Sequence, residues 1–168
     1  MKDPLANPAP LIRRVYAYAA YRVGPGADAE DVTSETFERA LRYRDSFDPK
    51  RGDAAAWLIG IASRCIADRA LRKDVPLETW DDETTESHER AALRSIELAA
   101  ALAQLGGRDR EIIALRFGAD LTVREVAKVL ELRTNTVEVA LHRALARLRA
   151  HLADPEVDGL PLADATTT

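Results

Sequence analysis

The sequence predicts an all-α protein of two small helical bundles joined by an acidic linker, the C-terminal bundle containing a helix-turn-helix. Three observations carry this. Apolar residues recur at helical spacing along most of the 168 residues, and no alternating strand pattern survives. Two mildly basic blocks, residues 11–73 with 12 basic and 9 acidic side chains and residues 95–152 with 9 and 7, flank a stretch, 74–94, with 2 and 7. A short helical pattern meets a longer one across a tight polar turn near the C-terminus.

The first segment, Leu11–Val23, is apolar on most sides, and Gly24-Pro25-Gly26 stops it. Asp28 is expected to cap a second helix running to about Tyr43. Acids in its first turn (Glu30, Asp31) and arginines in its last (Arg39, Arg42) suit the helix dipole. Val32, Phe37, Ala40 and Leu41 are its expected buried stripe. Phe47–Gly52 reads as a loop, broken by Pro49 and Gly52. Asp53 caps the next helix, to about Lys73, whose apolar members are Trp57, Leu58, Ile61, Cys65, Ile66 and Leu71. The stripe spacing assigns Trp57, Phe37 and Cys65 to the core. Residues 74–90 read as a solvated spacer.

Four further helices are expected at about 91–105, 108–117, 122–131 and 134–152. Gly106-Gly107 ends the first and Gly118 the second. Thr122, with Glu125 three residues on, forms a capping-box pattern for the third. In the fourth, Val137, Leu145, Leu148 and Leu152 fall within about 40° of Leu141 at about 100° per residue. Asn135, Thr136, Val139, His142 and Arg143 then point away. A helix whose N-terminal half presents such groups suits a DNA major groove.

Composition excludes several classes. The 46% apolar and 31% charged content is that of a globular chain. No apolar run approaches the roughly 20 residues that span a bilayer, so no membrane insertion is expected. The N-terminus lacks a signal-peptide core. The single cysteine and three scattered histidines give no four-ligand zinc site. With no Gly-rich phosphate loop and no nucleophile beside a base, neither an enzyme nor a cofactor is predicted. The net charge of −4 leaves any nucleic-acid contact local or assisted by a partner.

DAEDVTSETFERAL, FDPKRGDAAAWLIGIASRCIADRALRK and LAQLGGRDREIIALRFGADLTVREVAKVLELRTNTVEVALHRALARLR, in that order, resemble the extracytoplasmic-function (ECF) sigma factors of bacterial RNA polymerase. The resemblance implies a domain at 1–73 for polymerase binding and −10 recognition and melting, a linker at 74–94, a −35-reading domain at 95–152 and a disordered tail at 153–168. It implies polymerase docking through Asp31, Ser34, Glu35 and Glu38, which share one helical face. Lys50, Arg51, Ser63 and Arg64 are the implied −10 contacts. Asn135, Thr136, Glu138, Val139, His142 and Arg143 are the implied −35 contacts. Partners would be core RNA polymerase, promoter DNA and, as is common in the family, an anti-sigma factor, in the cytoplasm.

The chain departs from the family's usual pattern at several positions. Gly60 stands where a basic residue is more frequent, and Arg64 where asparagine is. Asn135, Glu138, Val139 and Ala140 stand where many members carry Gly, Lys or Arg, and Ser-Arg. A stand-alone helix-turn-helix regulator and a sigma-like interaction adaptor are the alternatives; the first leaves the DAED block unexplained.

Overall fold

The computed structural model describes residues 3–72 and 89–153, and among them every regular element is helical. α1 is Pro8–Val23, α2 Ala27–Arg42, α3 Ala54–Arg72, α4 Glu89–Gln104, α5 Gly107–Ile113, α6 Val123–Val129 and α7 Thr134–Ala153. A 3₁₀ turn, Arg44–Ser46, follows α2, and a π-helical turn, Ala114–Gly118, continues α5. The expected linker and tail lie largely outside the described residues, but 89–94 are already helical.

Local chemistry explains most boundaries. α1 starts earlier than the apolar pattern suggests because Pro8 sits in its first turn, where a missing N–H costs nothing. Asp53 starts α3 by accepting the Ala56 amide at 2.8 Å. Asp28 does not cap α2: Gly26, at φ 102°, takes that place, and Asp28 lies in the first turn. Thr122 and Glu125 form the reciprocal capping box at α6, with the Glu125 carboxylate accepting the Thr122 amide at 2.7 Å.

α6 ends in a Schellman motif. The Leu132 amide donates to the Ala127 carbonyl at 2.9 Å and the Glu131 amide to the Lys128 carbonyl at 3.3 Å. Glu131 therefore occupies the left-handed position, at φ 54°, that glycine usually fills. This closes the turn of the helix-turn-helix and fixes the direction in which α7 leaves.

Val15, Tyr18 and Ala19 of α1, Val32 and Ala40 of α2, and Leu58, Ile59, Ala62 and Cys65 of α3 are buried together. The same core continues into Ala114, Leu115, Ala119, Leu121, Val126 and Val137 of the C-terminal half. Both bundles are present, and they also pack on each other through α1. A smaller cluster, Leu102, Leu105, Ile113, Ala144 and Leu148, ties α4 and α5 to α7.

Three apolar residues assigned to buried stripes lie outward. Leu41 is 60% and Leu71 89% exposed, each at or near the last turn of its helix, and Leu152 of α7 is 44% exposed. At the junction of the halves the Tyr18 hydroxyl and Arg22 Nε are buried without a hydrogen-bond partner. Each such group costs about 1–3 kcal/mol. Burial raises the Tyr18 pKa, an effect the nearby Arg22 charge and Ser63 hydroxyl only partly offset.

Two measurements check the helix-turn-helix supports. Thr122→Ala should cost about 1 kcal/mol in chemical denaturation. The Thr122 hydroxyl and amide hold the Glu125 carboxyl below its ordinary value. That contribution is present above the unfolded-state pKa and fades as pH falls through the lowered folded value. Thr122→Ala should therefore flatten the acid limb of the stability profile, and an unchanged limb contradicts the pairing. Glu131→Gly should raise stability by up to about 1 kcal/mol, because glycine accepts positive φ without strain; a loss would contradict the strained turn.

Candidate nucleic-acid interface

The helix-turn-helix presents one coherent outward surface. Asn135, Thr136, Glu138, Val139, His142 and Arg143 are all exposed on α7, and Val139 keeps 51% of its surface. Val137, Ala144 and Leu148 point inward and hold the helix against α6, α5 and α4. The six residues assigned from sequence are thus brought together on the N-terminal half of one helix. They offer amide, hydroxyl, imidazole and guanidinium groups, one carboxylate and one aliphatic contact.

A second surface surrounds the start of α3. Asp48 organises its loop: its carboxylate accepts the Lys50 amide at 2.9 Å and its carbonyl the Arg51 amide at 3.0 Å. Phe47 anchors the loop edge-on against Trp57, with ring centroids 5.5 Å apart. Trp57 is half-buried and belongs to the core margin. Lys50 and Arg51 of the loop and Arg64 of α3 are exposed. Ser63 is placed differently: it is half-buried and turned toward the Tyr18 phenol of α1. A Cβ on Gly60 would meet nothing within 4 Å, so this glycine leaves open space on α3.

The acidic face of α2 is engaged from within the chain. Arg69 of α3 lies 3.3 Å from Asp28, 3.1 Å from Asp31 and 4.0 Å from Glu35. Arg39 binds Glu35 at 2.6 Å and Asp68 at 2.8 Å. The Asp68 carboxylate, with help from Glu35, raises the Arg39 pKa above its ordinary value. Asp31 and Glu35 therefore serve the α2–α3 joint, while Ser34 and Glu38 are exposed beside them. The sequence reading identified the acidic stripe but not these arginines. Arg69 sits one helix away from its partners, and spacing within one helix cannot pair two.

Also missed was the contact between the halves. Arg14 Nε donates to the Ala119 carbonyl at 2.7 Å and its Nη2 to the Asp120 carbonyl at 3.1 Å. Those carbonyls follow directly on the π-turn, outside any helix. The available signal was the apolar character of α1 on most sides, which a helix enclosed by two neighbours requires. Among the described residues no cluster could hold a metal ion, and no helix is long and apolar enough to cross a membrane.

A capped helix-turn-helix packed on a second helical bundle, each bearing exposed cationic groups, defines an all-α helix-turn-helix protein. The Sigma-70 region 2 family matches residues 10–75, and the Sigma-70 region 4 family matches 95–148. Over 149 residues the chain is 36% identical to the ECF RNA polymerase sigma factor BldN of Streptomyces coelicolor, spanning 83% of this chain and 56% of BldN. It is 30% identical over 147 residues to the ECF RNA polymerase sigma factor SigL of Mycobacterium tuberculosis, spanning 83% of both. Among solved structures, CnrH in complex with the cytosolic domain of CnrY is similar at TM-score 0.63 and 28% identity, over 90% of this chain and 86% of that one. RpoE in complex with the anti-sigma factor NepR, from Bartonella quintana, shares the fold at TM-score 0.73 and 21% identity, over 90% and 95%. The chain belongs to the ECF sigma factors, which are transcription initiation factors.

Arg69→Ala tests whether the α2–α3 ion network is orientation rather than glue. Its side chain is 23% exposed and its three carboxylate partners more so. The expected loss in urea denaturation is under about 1 kcal/mol, shrinking at high salt. A loss above about 3 kcal/mol would instead identify Arg69 as a keystone of the fold.

Proposed function

We propose that this chain binds core RNA polymerase, carries it to promoters and helps open the −10 region, without covalent chemistry of its own. Residues 1–73 take the polymerase-binding and −10 role, 74–94 the linker, 95–152 the −35 role, with 153–168 as a tail. The exposed six-residue surface of α7, held by a capping box and a Schellman turn, is the observation that carries this reading. Arg143 offers two parallel donors to a guanine edge or holds a phosphate. Glu138 accepts from a cytosine amino group and Val139 touches a thymine methyl. Asn135, Thr136 and His142 complete the −35 contact.

In the first half, Lys50, Arg51 and Arg64 track the phosphates of the melted strand beside Trp57. Ser63 joins them once α1 and α3 leave it room. On α2, Ser34 and Glu38 meet polymerase directly. Asp31 and Glu35 do so while shared with Arg69, so orientation and encounter rate, more than raw affinity, are set by this face. Such a factor works in the cytoplasm, and an anti-sigma protein is its further partner, as NepR is for RpoE.

Arg143→Ala tests the assignment in transcription reactions reconstituted with bacterial core polymerase. Losing a bidentate base contact should lower initiation at a −35-dependent promoter by about 5- to 150-fold. Co-elution with core polymerase should be unchanged. Equal transcription by variant and wild type would remove Arg143 from the −35 contact, and absence of wild-type activity at every promoter tried would overturn the function.

A further inference from the structure

We infer that Arg69 is a competitor built into the docking face of α2. It holds Asp31 and Glu35 in the free chain and yields them to a basic surface of core polymerase. The inference deepens the docking role proposed above and rests on it. One guanidinium from α3 stands where a cation of the partner has to stand.

The two arginines of this face are held differently. Arg39 lies on α2 itself, and a separate nitrogen serves each of its carboxylates, Nη2 for Glu35 at 2.6 Å and Nη1 for Asp68 at 2.8 Å. Those are short, charge-assisted bonds. Arg69 is held more loosely. Its Nη2 is divided between Asp28 at 3.3 Å and Asp31 at 3.1 Å. Its Nη1 lies 4.0 Å from Glu35 Oε2, too far for a hydrogen bond. No carboxylate receives from Arg69 the two parallel donors that make an arginine pair strong. Glu35 is divided as well: Oε1 binds Arg39 while Oε2 faces Arg69. Arg39 is thus the fixed member of the network and Arg69 the displaceable one.

Exposure points the same way. The Asp31 side chain keeps 65% of its surface although Arg69 pairs with it. A partner cation reaches Asp31 without moving either helix. Two cations on one carboxylate then repel each other. The long stem of Arg69 lets its head turn into solvent with no change of backbone. Giving up an exposed pair of this kind costs little. Docking therefore exchanges one ion pair for another. A surface offering a single stray cation gains nothing by the exchange. One offering several, matched to Asp31, Glu35 and the exposed Glu38, gains at each.

The test follows association of the full chain with bacterial core polymerase by stopped-flow fluorescence, at low and high salt. Arg69→Gln and Arg69→Ala both remove the charge, and either one that keeps the wild-type circular dichroism spectrum serves. Association at low salt should quicken by about two- to fivefold, the worth of one exposed ion pair. The difference should vanish near 1 M salt, where charges are screened within about 3 Å. A purely structural arginine would not give a gain that salt abolishes. Asp31→Asn should slow association more in the Arg69→Gln background than in wild type, because the carboxylate is then unmasked. Glu38→Gln, outside the Arg69 network, should slow both backgrounds equally. Association that is unchanged or slower without Arg69, while Asp31→Asn and Glu38→Gln still slow it, overturns the competitor and leaves the docking face standing. If neither Asp31→Asn nor Glu38→Gln alters association in either background, the docking role of α2 falls, and the competitor with it.

Discussion

Everything else in this structure depends on α1 being enclosed from both sides. Val15, Tyr18 and Ala19 are at most 1% exposed because α2 and α3 cover one flank and the π-turn region the other. An ordinary amphipathic helix keeps a polar face for solvent. α1 gives up much of that face, and its arginines act at the margins. Arg14 donates to the Ala119 and Asp120 carbonyls just after the π-turn, and Arg22 spans to Gly107 and Glu111. The dispersion and apolar burial so gained are offset in part by two orphaned polar atoms. The junction is therefore tight in shape and moderate in energy.

The two candidate surfaces get their rigidity in different ways. α7 is aimed by local backbone chemistry, a capping box before α6 and a Schellman turn after it, with the inward side chains Val137, Ala144 and Leu148 preventing rotation. The first-half surface is aimed by a side-chain stack, Phe47 on Trp57, and by the Asp48 and Asp53 turns at either end of the loop. Charge is partitioned accordingly. The chain is acidic overall, yet exposed cations gather at the loop, on α3 and on α7, while the acids of α2 are tied to Arg39 and Arg69. Net charge is a poor guide to where a polyanion lands; local placement decides.

Much of the fold was legible in the sequence, because most of its causes are local. The helices, the Asp53 cap, the Thr122–Glu125 box and the outward set on α7 all follow from spacing within about one or two helical turns. The failures share one cause, the dependence of burial on distant residues. Leu41, Leu71 and Leu152 fit a stripe but stand near helix ends with too little packed against them. The nearness of Ser63 to Tyr18 is likewise a contact that spacing along α3 does not reveal. Gly118 reads as a helix stop, and also permits a backbone approach that only the partner helix reveals. Glu131 carries no sign that it adopts positive φ, since the motif is set by its neighbours' hydrogen bonds.

α1 is a spine common to both halves and holds them against each other. Spin labels on exposed Glu30 of α2 and Arg149 of α7, read by pulsed dipolar spectroscopy in the full chain, measure that most directly. An α1 enclosed from both sides predicts one short, narrow distance distribution for the free protein. A broad, long distribution would contradict it.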